Sequence, residues 1–382
     1  MGVSLTVTMN PMRGLVLILV GLLAACSQNA PTPQFHADDN PRLLSEWGQL
    51  GIVGAELRTG AGVVTYDLNT PLFTDYALKL RTIWMPEGVS ADYRENDVLD
   101  FPVGTVITKT FYYASAGGPD RVSRGDGHAL VTADGHLDLD AVQLIETRIL
   151  VRRENGWAAL PYRWNEDQTE AVLLRYGDVI PLQMIDADGS ETGFNYVMPD
   201  VNQCASCHAP DSNTRIISPI GPKPRHINRD FDYPDGTRNQ LDHLTAIGYL
   251  TGAPQADTAP RNADWADINA SLEARARAYL DANCSHCHSP VGPADTSGLN
   301  LEPDIAHGPA LGICKLPIAA GSGTGDRRHD IVPGAPDESI LLFRLDNVQP
   351  DEMMPEVGRS TIHTEGVELI RAWIESLPGD CN

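Results

Sequence analysis

The sequence predicts an α+β multidomain protein, with an N-terminal antiparallel β-sandwich or jelly-roll-like domain followed by mainly α-helical domains. Three observations lead there. Residues 40–190 hold short runs rich in β-branched and aromatic residues, separated by Gly, Pro and Asp turns. After residue 190 the pattern changes to short helical stripes joined by Pro/Gly-rich loops. A five-residue Cys/His pattern then occurs twice in that second half. The chain has 382 residues, enough for two or three domains that each bury a core. Its 51 acidic against 28 basic residues, a formal net charge of −23, argue against nucleic-acid binding, which needs clustered Lys and Arg. Seven cysteines are too few for a disulfide-dense scaffold, so their positions carry the information.

Residues 1–25 read as an export leader. Arg13 precedes the apolar run Leu15–Ala25, which is shorter than the ~20 residues that span a bilayer. Its end, Leu23-Ala24-Ala25-Cys26, resembles the lipobox of bacterial lipoproteins. That resemblance implies lipidation of Cys26 as the first mature residue, on the periplasmic side of a Gram-negative bacterium. Ser27, in place of Asp, points to the outer membrane by the same analogy. Residues 26–39 read as a tether.

Within the β-rich region, Thr105–Tyr113 has the density of a half-buried strand. Leu144–Arg153 alternates, with Ile145, Thr147, Ile149 and Val151 on one side and Glu146, Arg148 and Arg152 on the other. The charged side is expected to be a solvated sheet face. Asn155-Gly156 then predicts a hairpin turn into Trp157–Trp164. Residues 191–262 form one segment and residues 263–382 a further domain on this reading, each with one copy of the Cys/His pattern. Ser271–Ala282 predicts one helix, and a stripe of Val367, Ile370, Trp373, Ile374 and Leu377 predicts another, ended by Pro378-Gly379.

Cys204-Ala205-Ser206-Cys207-His208 and Cys284-Ser285-His286-Cys287-His288 both read C-x-x-C-H. Two thiols about one helical turn apart reach the two vinyl groups of one porphyrin, and the next residue sets an imidazole under the iron. The expected cofactors are therefore two covalently bound haem c groups. Cys204, Cys207, Cys284 and Cys287 attach them, and His208 and His288 are the proximal iron ligands. A four-cysteine zinc site would need the two pairs close in sequence and would leave both histidines unexplained. A thioredoxin-like pair would want a βαβ context that neither motif has.

The first haem's distal ligand stays open between His243, His226 and Met198; a five-coordinate iron open to a small molecule is the further option. Cys314 and Cys381 remain, and an exported protein seldom keeps two free thiols, so they are expected to form a disulfide.

The order helix, CxxCH, Met-Pro loop, helix over residues 265–380 resembles a class I cytochrome c domain. The stretch from Val332-Pro333-Gly334 to Met354-Pro355 is similar to bacterial membrane-associated and planctomycete-type cytochromes. Nearly the whole mature chain resembles an uncharacterised family of bacterial two-haem c-type cytochrome lipoproteins. Pro71-Leu72-Phe73-Thr74-Asp75-Tyr76-Ala77, Phe101-Pro102-Val103-Gly104-Thr105, Asn202-Gln203-Cys204 and Gly221-Pro222-Lys223 carry that likeness. The resemblance implies Met354, with Met353 as alternative, as distal ligand of the second haem. It also implies electron transfer, and it supplies no substrate. The expected partner is a redox protein with a basic docking surface, steered by the acidic charge. The alternative is a two-haem redox enzyme, peroxidase-like, with an open first haem.

Overall fold

The computed structural model describes residues 1–2, 30–132, 135–318 and 320–381. Cys26 and the leader around it lie outside the described residues. Among those described, no helix is long and apolar enough to cross a membrane.

The dominant element is a nine-stranded sheet. Its strands are β1 (Val64–Tyr66), β2 (Leu78–Trp84), β3 (Val106–Gly118), β4 (Arg121–Ser123) and β5 (Val142–Arg153), then β6 (Gly156–Trp164), β7 (Ala171–Leu173), β8 (Asp178–Ile185) and β9 (Glu191–Met198). In space they run β7-β6-β5-β3-β4-β8-β9, with β2 and β1 branching from β3. The long β3 pairs with β5 along one edge. On its other edge it pairs first with β2 and then with β4. Pairing is antiparallel except between β8 and β4. The sheet curls into a half-barrel. A three-stranded sheet of Leu50–Val53, Glu56–Thr59 and Leu137–Asp138 covers one face.

Alternation divides the two faces. Leu78 and Leu80 of β2, Val106 and Tyr112 of β3, and Ile149 and Val151 of β5 turn to one side, into a core shared with Trp47, Leu50 and Leu57. Thr82 meets Thr108, and Thr110 meets Thr147, as buried hydroxyl pairs on this side. A bulge between Phe111 and Tyr112 gives Ile145 to a different core, with Tyr113, Leu182 and Tyr196, and not to the Ile149 face the alternation predicts. The 155–156 hairpin forms, with Gly156 at positive φ and pairing with Arg153.

The opposite face corrects the solvated reading of Glu146 and Arg148. Glu146 is fully buried and accepts from the Tyr196 hydroxyl, and Arg148 lines a cleft whose other wall comes from the second half of the chain. Alternation shows which residues share a face; it cannot show what covers that face.

The second half is also not the set of mainly α-helical haem domains that the sequence suggests. The structure is about 27% strand against 20% helix. The described helices are α1 (Val201–His208), α2 (Pro224–Ile227), α3 (Gln240–Ala246), α4 (Leu272–Leu280), α5 (Ile340–Leu345) and α6 (Thr364–Ser376). Between them the chain runs in loops, 3-10 turns and a hairpin pairing Asp230–Tyr233 with Gly236–Asn239. The physical reason is punctuation: Gly221-Pro222-Lys223-Pro224 and Pro290-Val291-Gly292-Pro293 forbid long helices.

Helices α4 and α6 cross over a core of Ala276, Tyr279, Leu280, Ile370, Trp373 and Ile374. The crossing is tight at Gly366, where a Cβ would run into the Tyr279 hydroxyl. Cys314 and Cys381 are joined by a disulfide, which ties the chain's end to the loop before α5.

Candidate functional site

Helix α1 carries the first CxxCH pentad. Its N-cap, Asp200, accepts from the amides of Asn202 and Gln203, and the Gln203 side chain returns a bond to the Asp200 amide. The second pentad follows α4 through a π-helical turn, Asp281–Ser285. Both pentads lie in one place. The Cys287 Sγ is 3.8 Å from the Ser206 carbonyl, the Ser212 amide donates to Val291 O at 2.7 Å, and the Ser212 hydroxyl to Asp295 at 3.1 Å. Cys287 and His286 lie beside Cys207, and these neighbours hold the Cys207 thiol well down.

The two terminal histidines are prepared in the same way. The His208 Nδ1 donates to the Ser218 carbonyl at 3.1 Å. The His288 Nδ1 lies 3.1 Å from the Ser297 hydroxyl, which itself donates to Ala294 O and therefore accepts from the ring. In each ring Nε2 is left with its lone pair. Burial, then the Lys109 charge, pushes His208 down to about 4; burial, then Arg344, does the same to His288. Both imidazoles are neutral at neutral pH. Cys204, Cys207, Cys284 and Cys287 are all unbridged. Two open thiols and one neutral imidazole with a free Nε2, twice over, are the donor set that haem c attachment uses. Among the described residues, no three His, Cys, Asp or Glu side chains converge to hold a bare metal ion.

Between the sheet and the pentads lies a cleft, open to solvent. Lys79, Arg81, Lys109 and Arg148 line it from the sheet; His208, Lys223, His226 and His286 line it from the other side. Leu68, Leu72, Ile107, Leu150 and Ile220 supply apolar lining. Burial, then the charges of Arg148 and Arg81, brings the Lys109 ammonium down to about 7.

The structure separates the open distal candidates. His226, on α2, faces the same cleft as His208, with its Nε2 2.8 Å from Asp281. His243 is elsewhere, stacked on Tyr233 with ring centroids 3.7 Å apart, and does not line the cleft. Met198 ends β9 in the core with Phe194 and Tyr196. In the second half, the Met354 amide donates to the Arg344 carbonyl, and Arg344 is the cation that acts on His288. Met353 is buried beside it. The Met-Pro loop and the second pentad thus share a neighbourhood.

Sequence reasoning missed the cations of the sheet wall, Asp281 and His363. Asp281 is a hub: Arg225 grips it with two nitrogens at 2.7 and 2.9 Å, and His226, Asn262 and Ser285 also bond to it. Burial pushes its carboxyl up, and the bonds from Arg225 and His226 reverse that, leaving it far below the usual range. His363 stacks on Phe73 at 4.3 Å and meets the Tyr279 hydroxyl at 3.0 Å. The signal for the wall was present as charges two apart on strands, Lys79 with Arg81 and Glu146 with Arg148. No family model, curated protein or solved structure matches the chain.

Proposed function

We propose that the chain is an exported, lipid-anchored dihaem c-type cytochrome that transfers electrons through two covalently attached haems. One observation carries this: two CxxCH pentads far apart in sequence meet within 3.8 Å, each with its histidine Nε2 left free. Electron transfer between sites falls steeply with separation, so adjacency is the property such a carrier needs. Cys204 and Cys207 would hold one haem and Cys284 and Cys287 the other, with His208 and His288 as proximal ligands. Each group supplies one-electron chemistry at its iron. The residues of this chain orient the imidazoles through Ser218 and Ser297 and keep them neutral by burial. Met354, with Met353 as alternative, is the distal ligand assigned to the second haem. The acidic chain, formal charge −23, would meet a basic redox partner.

The cleft beside His208 supports a second reading, a peroxidase-like redox enzyme in which the first haem keeps an open position next to His226. Intact mass and absorbance of the protein purified from cells with haem-attachment machinery test both. Two haem masses on the Cys204–Cys207 and Cys284–Cys287 peptides are expected. A chain without covalent haem defeats the proposal. Two low-spin irons favour the carrier, with loss of a thioether band in Met354→Ala; a high-spin iron that binds cyanide favours the enzyme.

A further inference from the structure

The sheet wall of the cleft holds a cationic rung whose charge exceeds what the chain itself neutralises. In the register of the sheet Arg81 stands opposite Lys109, and Lys109 opposite Arg148. Like charges placed directly across strands are destabilising. Two of the three have partial compensation. Arg81 Nη1 bonds to Asp67, and Arg148 grips Glu146 with two nitrogens. Lys109, in the middle, has no hydrogen bond or ion pair from its ammonium among the described residues; it has only the Phe111 ring at 5.2 Å.

Three further observations point the same way. Arg81 is 2% exposed and lines the cleft, and its Nη2 is buried without a partner. Lys79 is 1% exposed on the same face, and its ammonium reaches only the Ala77 carbonyl. Across the cleft, the Lys223 ammonium has no hydrogen-bond or ion-pair partner among the described residues. Of the side chains lining the cleft, five Lys and Arg face one carboxylate, Asp281, which Arg225, His226, Asn262 and Ser285 already occupy. Cations around Phe111 gain little from the ring compared with a counter-ion. Buried charge of one sign is expensive without a counter-ion. The remaining lining is apolar, through Leu68, Leu72, Ile107, Leu150 and Ile220.

We infer that this cleft binds a carboxylate carried on an apolar body, with its oxygens seated on Arg81 and Lys109 and its body against Ile107 and Leu150. Arg81 contributes the free guanidinium nitrogen and Lys109 the free ammonium, so one carboxylate meets both deficits with charge-assisted hydrogen bonds. Two sources share this chemistry: the propionate of a haem held at His208, and a free organic acid that enters from solvent. The first rests on the haem proposal and the second does not.

Calorimetric titration of the purified full chain with sodium benzoate, beside redox titration, tests the inference and separates the sources. With a free acid as occupant, benzoate binds and Lys109→Met weakens it by about tenfold or more, the order of one charge-assisted bond. With a propionate as occupant, benzoate does not bind, and Lys109→Met shifts the midpoint potential of one haem and leaves the other unchanged. Lys109→Arg is expected to retain the wild-type behaviour in either case, and an unchanged melting temperature in both variants shows that the fold is kept. Absence of benzoate binding together with unchanged potentials in Lys109→Met overturns the inference. Should the chain carry no covalent haem, the functional proposal fails on intact mass, and benzoate binding alone then decides this one.

Discussion

Asp281 is 2% exposed and is the point on which two halves of the site turn. Three residues before the second pentad's first cysteine, it neutralises Arg225, fixes His226 and accepts from the Ser285 hydroxyl within the π-helical turn. Asp281→Asn keeps the shape and removes the charge, which leaves Arg225 buried and unpaired. The expected cost is about 3–5 kcal/mol in urea unfolding, the range for breaking one side of a buried pair. His363 contributes to the pH dependence. Burial holds it at about 4 against an ordinary 6.5, so between those values the unfolded chain binds more protons than the folded one. Its contribution is fully present above about 6.5 and is lost as pH falls toward 4. Unfolding free energy should therefore decline over that window, and less steeply in His363→Gln. At this scale the sequence is uneven in what it discloses. Pentads are local and announce themselves by spacing. Asp281 acquires its role from Arg225 and Asn262, partners supplied by distant loops, so nothing adjacent to it in the sequence marks it out.

Among the elements, the loop between β1 and β2 does the most to join the chain's halves. Asp75 accepts from the amides and hydroxyls of both Ser360 and Thr361, and Tyr76 donates to Glu365 and accepts from the Thr364 amide. The Phe73 amide donates to Asn283, beside the second pentad. Asp75 and Tyr76 both have positive φ, at 44° and 61°, an unfavourable state for side chains of this size. The docking bonds offset that strain. Burial pushes the Asp75 carboxyl up in spite of its four bonds, so burying the charge works against the stability those bonds provide. Asp75→Asn, which keeps an acceptor, is expected to change stability by about 1 kcal/mol or less. Asp75→Ala leaves two amides without an acceptor and should cost roughly 2–3 kcal/mol in the same unfolding assay. The Pro71–Ala77 string is conspicuous in the sequence through its resemblance to the two-haem family, but its docking role depends on residues near 360 that no periodicity connects to it.

For the molecule as a whole, the last closure is the Cys314–Cys381 bridge, which spans 67 residues and holds the end of the chain against the loop before α5. On loop entropy alone, replacing both cysteines by serine should cost about 4 kcal/mol, read as a lower denaturation midpoint under oxidising conditions only. Strands, α4 and α6 were legible from periodicity, and the cysteine pairing from elimination. The half-barrel and the loop-dominated second half were not, because curl comes from a bulge and from strand pairing across long sequence gaps. The cleft has a consequence for heredity. Its cationic wall is encoded between residues 79 and 148 and its histidine-bearing wall between 208 and 286. A duplication or transfer of the pentad segment alone would carry the CxxCH motifs into a new chain and leave the cationic wall behind. A recombination point between the two stretches would therefore separate the two walls of the cleft.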